Sequence, residues 1–420
     1  MTALVRILPV FVLLIATIPG VHAAENLTGI LDPHFATLQA YVGDDKLNDP
    51  VLTLDDDRQL IIEFDELADE VRYMRYSVTH CNADWQPSQL VESEYLEGFN
   101  EGTIDDYEFS RATTVHYVHY RLALPNDRIR LTASGNYLLR VYDESDPDDT
   151  LLQVRFMVTE QSVGVSGAVT SRTDIDYNGS HQQLSLNIDA GRVRVHDAFN
   201  DFKVVISQNG RHDNARTLTH PLRLQGNNLI YEHMPELIFE AGNEYRRFEN
   251  ISTHMPGMHI DNVSYHGPYY HAVIATDTPR SDTPYTYDST QHGKYVVREY
   301  NSSRSDTEAD YVVTHFALET PRLDGCDVYL DGDLVNRRFD GKARLVYNDA
   351  TGCYETALLL KQGSYNYQYL TRPAGSDMAL TAPIEGDFYN TVNEYRVAVY
   401  HRLPGERYDR LAGYYTIKSL

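Results

Sequence analysis

The chain has 420 residues, 42% of them hydrophobic and 23% charged, proportions that exclude a disordered or collagen-like polypeptide. Lys and Arg number 36 against 61 Asp and Glu, a formal charge of −25, so neither nucleic acid nor an anionic membrane surface is an expected partner. Length allows roughly two to four domains, and 32 tyrosines against 13 phenylalanines and one tryptophan set the composition apart.

Residues 1–23 read as a signal peptide. Arg6 supplies a positive n-region, residues 7–18 are apolar apart from Pro9 and Thr17, and Val21 and Ala23 are the small residues of a cleavage site. Cleavage is expected between Ala23 and Ala24. The apolar run is short of the roughly 20 residues that cross a bilayer, and no later run is long enough either. An exported protein without direct membrane insertion is expected. Of the three cysteines, Cys326 and Cys353 share the C-terminal stretch and form the candidate disulfide, which would stabilise by about 3–4 kcal/mol. Cys81 is then a small buried hydrophobe.

Period-2 alternation recurs through the rest of the chain, and long amphipathic helical patterns are absent. Alternating rows run through residues 70–81, 117–124, 137–141, 152–158, 202–206, 311–318, 365–369 and 395–399. Such rows, rich in β-branched and aromatic residues, mark half-buried antiparallel strands. Asn209-Gly210 is a hairpin signal because both residues tolerate positive φ, and Asp331-Gly332-Asp333 and Gln362-Gly363-Ser364 also lie between alternating runs. The expected fold is all-β, with three consecutive antiparallel β-sandwich domains of immunoglobulin or early-set type at 24–160, 161–305 and 306–420.

Motifs of enzyme chemistry are missing. There is no Gly-x-Ser-x-Gly elbow, phosphate-binding loop or His-Glu-x-x-His pair, and the histidines lack the short ligand spacings of a structural zinc site. His116 and His119 have odd spacing, which places them on opposite strand faces. His254, His259, His266 and His271 occupy a segment able to fold back on itself. Five Asn-x-Ser/Thr sequons, at Asn26, Asn178, Asn250, Asn262 and Asn301, matter only in a eukaryotic secretory pathway. No enzyme, cofactor or metal is expected. The tyrosines have two uses: strand residues with a buried ring and a wet hydroxyl, or a docking face.

Two sets of segments lift this above a generic β protein. One is His80-Cys81-Asn82-Ala83-Asp84-Trp85-Gln86-Pro87-Ser88, followed by Glu94-Tyr95-Leu96-Glu97-Gly98-Phe99, Tyr117-Val118-His119-Tyr120 and Ser134-Gly135-Asn136-Tyr137. The other is Gln208-Asn209-Gly210-Arg211 with Ala241-Gly242-Asn243-Glu244-Tyr245-Arg246, Gln362-Gly363-Ser364-Tyr365 and Asn393-Glu394-Tyr395. In consistent order through nearly the whole mature chain, these resemble the Plug proteins of the type IX secretion system. That resemblance implies a non-enzymatic periplasmic protein, monomeric when free. Its partner would be a large outer-membrane β-barrel translocon, whose periplasmic end it would seal, gating the export of folded cargo. Among the quoted segments Trp85, Tyr95, Phe99, Arg211 and Tyr245 are the candidate interface residues, since Trp, Tyr and Arg dominate interface energetics. Trp85 has a second reading, as a brace at the end of a sandwich core.

Residues 324–370 are also similar to the early-set module of glycogen-binding domains, which implies an alternative: an envelope glycan-binding or glycan-processing protein. Such modules grip sugars on exposed tryptophan platforms, and Arg338-Phe339 stands where a tryptophan would be expected.

Overall fold

The computed structural model describes residues 26–419; the expected cleavage site at Ala23 and Ala24 lies outside the described residues. The chain is all-β, as its alternation requires, and every predicted row is a strand. Met74–Cys81 shows the rule plainly: Met74, Tyr76, Val78 and His80 are buried while Arg75, Ser77 and Thr79 face outward.

The first body is a sandwich. One sheet aligns Gly29–Ile30, Asp146–Thr159, Gly135–Asp143, Met74–Cys81 and Gly102–Thr103; the other aligns Phe35–Val42, Leu60–Glu66, Val118–Leu124 and Asp106–Phe109. Between them lie Phe64, Val78, Tyr120, Tyr137, Leu139, Val154 and Phe156.

Beyond Glu160 the sheets divide the chain differently from the expected boundaries. The middle body pairs Phe202–Gln208 with Glu394–His401, which pairs in turn with Arg410–Lys418. Its core therefore combines Leu184, Ile188, Val204, Ile206 and Phe239 with Tyr395, Val397 and Val399. The third body is inserted between these halves. Arg246–Asn250, Ile260–His266, Tyr269–Ile274 and Tyr295–Val297, all inside the expected 161–305 domain, join strands from 311–373 in one nine-stranded sheet. That sheet folds over on Arg344–Asn348, which pairs with Cys326–Asp331 on one side and Cys353–Lys361 on the other. The division at 305/306 is thus corrected to an insertion. Alternation reports that a segment is a strand, and its sheet partner is a matter of long-range pairing.

Turn chemistry holds at Asn209 and Gly210, which have φ of 52° and 75° and lead into Arg216–Leu218, paired antiparallel with Phe202–Gln208. A Cβ at Gly210 would meet the Arg396 guanidinium at 2.0 Å, so that turn needs glycine twice over. At Gln362 the chain crosses instead to the other layer of the folded sheet, because Cys353–Lys361 pairs with Tyr311–Glu319 and Gly363–Pro373 with Cys326–Asp331.

The expected disulfide is absent: all three cysteines are free thiols. Register places Tyr347 and Asn348 of the intervening strand between Cys326 and Cys353, a separation of two strand spacings. That is about 9–10 Å, beyond the roughly 7 Å that a disulfide spans. Cys81 is buried, and burial pushes its thiol up to about 11, the inert state of a packing residue. Thiol counting on unreduced, unfolded protein should therefore find three reactive groups per chain.

Candidate functional site

Charged or polar side chains form the junctions between the bodies. Asp49, in the turn after Phe35–Val42, reaches all three bodies. It accepts a hydrogen bond from Lys294 Nζ of the third body at 2.8 Å and from Tyr414 Oη of the middle body at 2.8 Å. Arg396, also of the middle body, closes on it at 2.7 Å. Burial alone would raise this carboxyl, but Arg396 and Lys294 with their hydrogen-bonding partners hold it down at about 2.

The first and third bodies meet over a second buried cluster. Asp65 Oδ2 accepts from Lys361 Nζ and from Tyr311 Oη, each at 2.6 Å, and its other oxygen lies 2.7 Å from His119 Nδ1. The Lys361 ammonium sits 4.0 Å from the centroid of the Tyr117 ring, a cation–π contact out of water. Burial works against the charged Asp65, and Lys361 with His119 outweighs it, leaving the carboxyl below its ordinary value. Beside it, Glu63, His119 and Asp306 converge closely enough to be metal ligands. Lys46 fills that position, with Nζ 2.6 Å from Glu63 and 2.7 Å from Asp306, so the cation there is a side chain.

The first and middle bodies are tied by the Glu160–Arg410 pair at 2.8 Å and by Tyr400 Oη, which donates to Asn136 at 2.7 Å. A cleft of about 320 Å³ opens beside this junction, lined by Asn200, Lys203, Arg402 and Asp409 among others. Both of its basic side chains are paired, with Lys203 and Arg402 at 3.2 and 3.6 Å from Asp409.

Internal contacts account for most of the candidate interface residues. Arg211 is buried, paired with Asp213 at 2.6 Å and donating to the Ala379 carbonyl at 2.7 Å, which docks the third body onto the middle one. Tyr245 is buried and donates to Asp331 at 3.2 Å while accepting from Gln368 at 3.0 Å. Tyr95 is buried against His80 and Tyr137. All three are buried, Tyr95 and Arg211 at 5% exposure and Tyr245 at 2%, so they present little surface to a partner. Trp85 is half-buried, with a left-handed φ of 62°. Arg155 lies 4.4 Å from its ring centroid, and its carbonyl accepts from Asn26 at 2.9 Å; this is the bracing role. Phe99 alone stands free, 81% exposed, beside the acidic Glu97 and Glu101.

Phe99 has company that the sequence did not single out. Asp106–Phe109 is an edge strand whose four residues are all exposed. Tyr107 and Phe109 stand on one face of it, with ring centroids 6.1 Å apart. Tyr73, Tyr287 and Tyr300 are also exposed. In the third body Phe339 packs edge-on to Tyr329 at 5.3 Å, so the position of the expected sugar platform is turned into the protein.

The profile described as "Type 9 secretion system plug protein 1st domain" matches residues 35–160, which is the first sandwich. The chain belongs to the type IX secretion plug family. A crystal structure of a hypothetical protein from Parabacteroides merdae ATCC 43184 has the same architecture, with a TM-score of 0.92 at 43% identity over 94% of this chain and 99% of that one. Among curated proteins none matches. For this plug-family member the three-body fold is therefore shared by a relative over almost its whole length.

Two predictions test the junctions. Asp49→Asn leaves the half-buried Arg396 and Lys294 without this counter-charge and should destabilise the protein by about 2–4 kcal/mol in denaturant unfolding. Because the folded carboxyl lies below its unfolded value of 3.8, its stabilisation is complete above that pH and fades as pH falls through about 2. The gap between wild type and Asp49→Asn should accordingly shrink by about 2 kcal/mol over that window. Lys361→Met alone should cost about 3–5 kcal/mol, and adding Asp65→Leu should recover much of it, since removing both charges spares the unpaired one.

Proposed function

We propose that this protein is a non-enzymatic periplasmic plug that seals the periplasmic end of the type IX translocon barrel and so gates the export of folded cargo. The match of the first sandwich to the plug family carries the reading. Physical chemistry supports it. A pore wide enough for folded protein leaks solutes unless something rigid fills it. Here three bodies are held by a buried ion pair at Asp65 and half-buried ones at Asp49 and Glu160 rather than by open linkers. Among the described residues no helix is long and apolar enough to cross a membrane, so association with the outer membrane would run through the barrel. A net charge of −25 and exposed aromatics such as Phe99 and Tyr107 suit a polar, reversible interface, and a barrel lumen is typically polar.

Affinity purification of the tagged protein from solubilised outer membranes should recover a very large β-barrel protein; repeated recovery without one defeats the proposal. Deleting the gene should admit large antibiotics that the outer membrane normally excludes. Phe99→Ala should leave stability within about 0.5 kcal/mol of wild type, as exposed substitutions do, while lowering barrel recovery severalfold.

A further inference from the structure

The outer face of the third body's sheet carries a histidine cluster that none of the junctions uses. Pairing sets Ser264 opposite His271, His271 beside Val313, and Val273 beside His315. Ala272, Val312 and Phe316 point into the core, so His271 and His315 share the opposite face as diagonal neighbours on adjacent parallel strands. Their ring nitrogens meet: His271 Nδ1 lies 2.8 Å from His315 Nε2, with the rings 20° from parallel and 5.2 Å apart. From the next strand His266 brings a third ring to 5.3 Å of His271, its Nε2 resting 3.1 Å from Ser264 Oγ. His266 is exposed and the other two are half-buried.

Two imidazole nitrogens at that distance hold one proton between them, because one must donate and the other accept. The neutral ring is the form that ligates metal, and an ion arriving between the two nitrogens takes the place of that shared proton. We propose that His271 and His315, with His266 as third donor, form a binding site for a divalent transition-metal ion of the zinc, nickel or copper class. Imidazole donors favour these ions, whereas Mg²⁺ and Ca²⁺ require oxygens. Tetrahedral zinc with bonds of about 2.0–2.1 Å separates two ligand nitrogens by about 3.3 Å, so the pair opens by only about half an ångström. His266 leaves Ser264 by rotation of its exposed side chain, and water takes the fourth position. The Glu63, His119 and Asp306 group is unlike this one, because Lys46 already supplies its cation. An ion here would staple the hairpin of Ile260–His266 and Tyr269–Ile274 to Tyr311–Glu319.

The test is calorimetric titration of the full-length protein with Zn²⁺, alongside thermal unfolding. One ion per chain and a rise in Tm are expected. His271→Ala and His315→Ala should each weaken binding about tenfold or more and remove the rise. Absence of binding, or equal affinity in both variants, overturns the proposal; unchanged affinity in His266→Ala removes only the third donor. As a check independent of any variant, anomalous scattering from zinc-soaked wild-type crystals should place the ion between His271 Nδ1 and His315 Nε2, and a peak elsewhere overturns it.

Discussion

The whole arrangement turns on one half-buried carboxylate. Asp49 accepts charge and hydrogen bonds from Lys294, Arg396 and Tyr414, residues of the two bodies to which it does not itself belong. An ion taken out of water is stabilising only where its partners are fixed and close. The site therefore imposes a condition on three sheets at once: all must be formed and correctly placed before Asp49 is tolerated there. Separate domains on flexible linkers would meet no such condition. This junction couples pieces that would otherwise hinge.

Tyrosine abundance follows from the same economy of polar burial. Tyr367 and Tyr369 both donate to Asp277, at 2.7 and 2.9 Å, while Arg246 approaches its other oxygen at 2.6 Å. Tyr311 and Tyr117 surround the Asp65–Lys361 pair. In each case a ring fills core volume and its hydroxyl satisfies a buried charge, which phenylalanine cannot do. Most of the tyrosines are thus framework.

Errors in reading the candidate surface have a common physical cause. Arg211 and Tyr245 carry the residue types of interface hot spots, but contacts between bodies of one chain draw on the same chemistry as contacts between chains. The nearby Asp213, two residues from Arg211, was the available hint of an internal ion pair. No such hint existed for His271 and His315, 44 residues apart, or for the wide separation of Cys326 from Cys353 within one stretch. These follow from register, which is not written in spacing.

Alternation of side chains by itself determined that this is an all-β protein and where the strands of its eight alternating rows lie, because the pleat translates sequence parity directly into direction. The ordered segments from His80 to Tyr395 also pointed to the plug family. Only the tertiary structure decided that the last two strands complete the middle sandwich, that the third body is an insertion, and that the conspicuous arginine and tyrosines lie inside. Those outcomes depend on which distant strands pair and which charges meet, and both are settled by packing energies between segments hundreds of residues apart rather than by any local pattern.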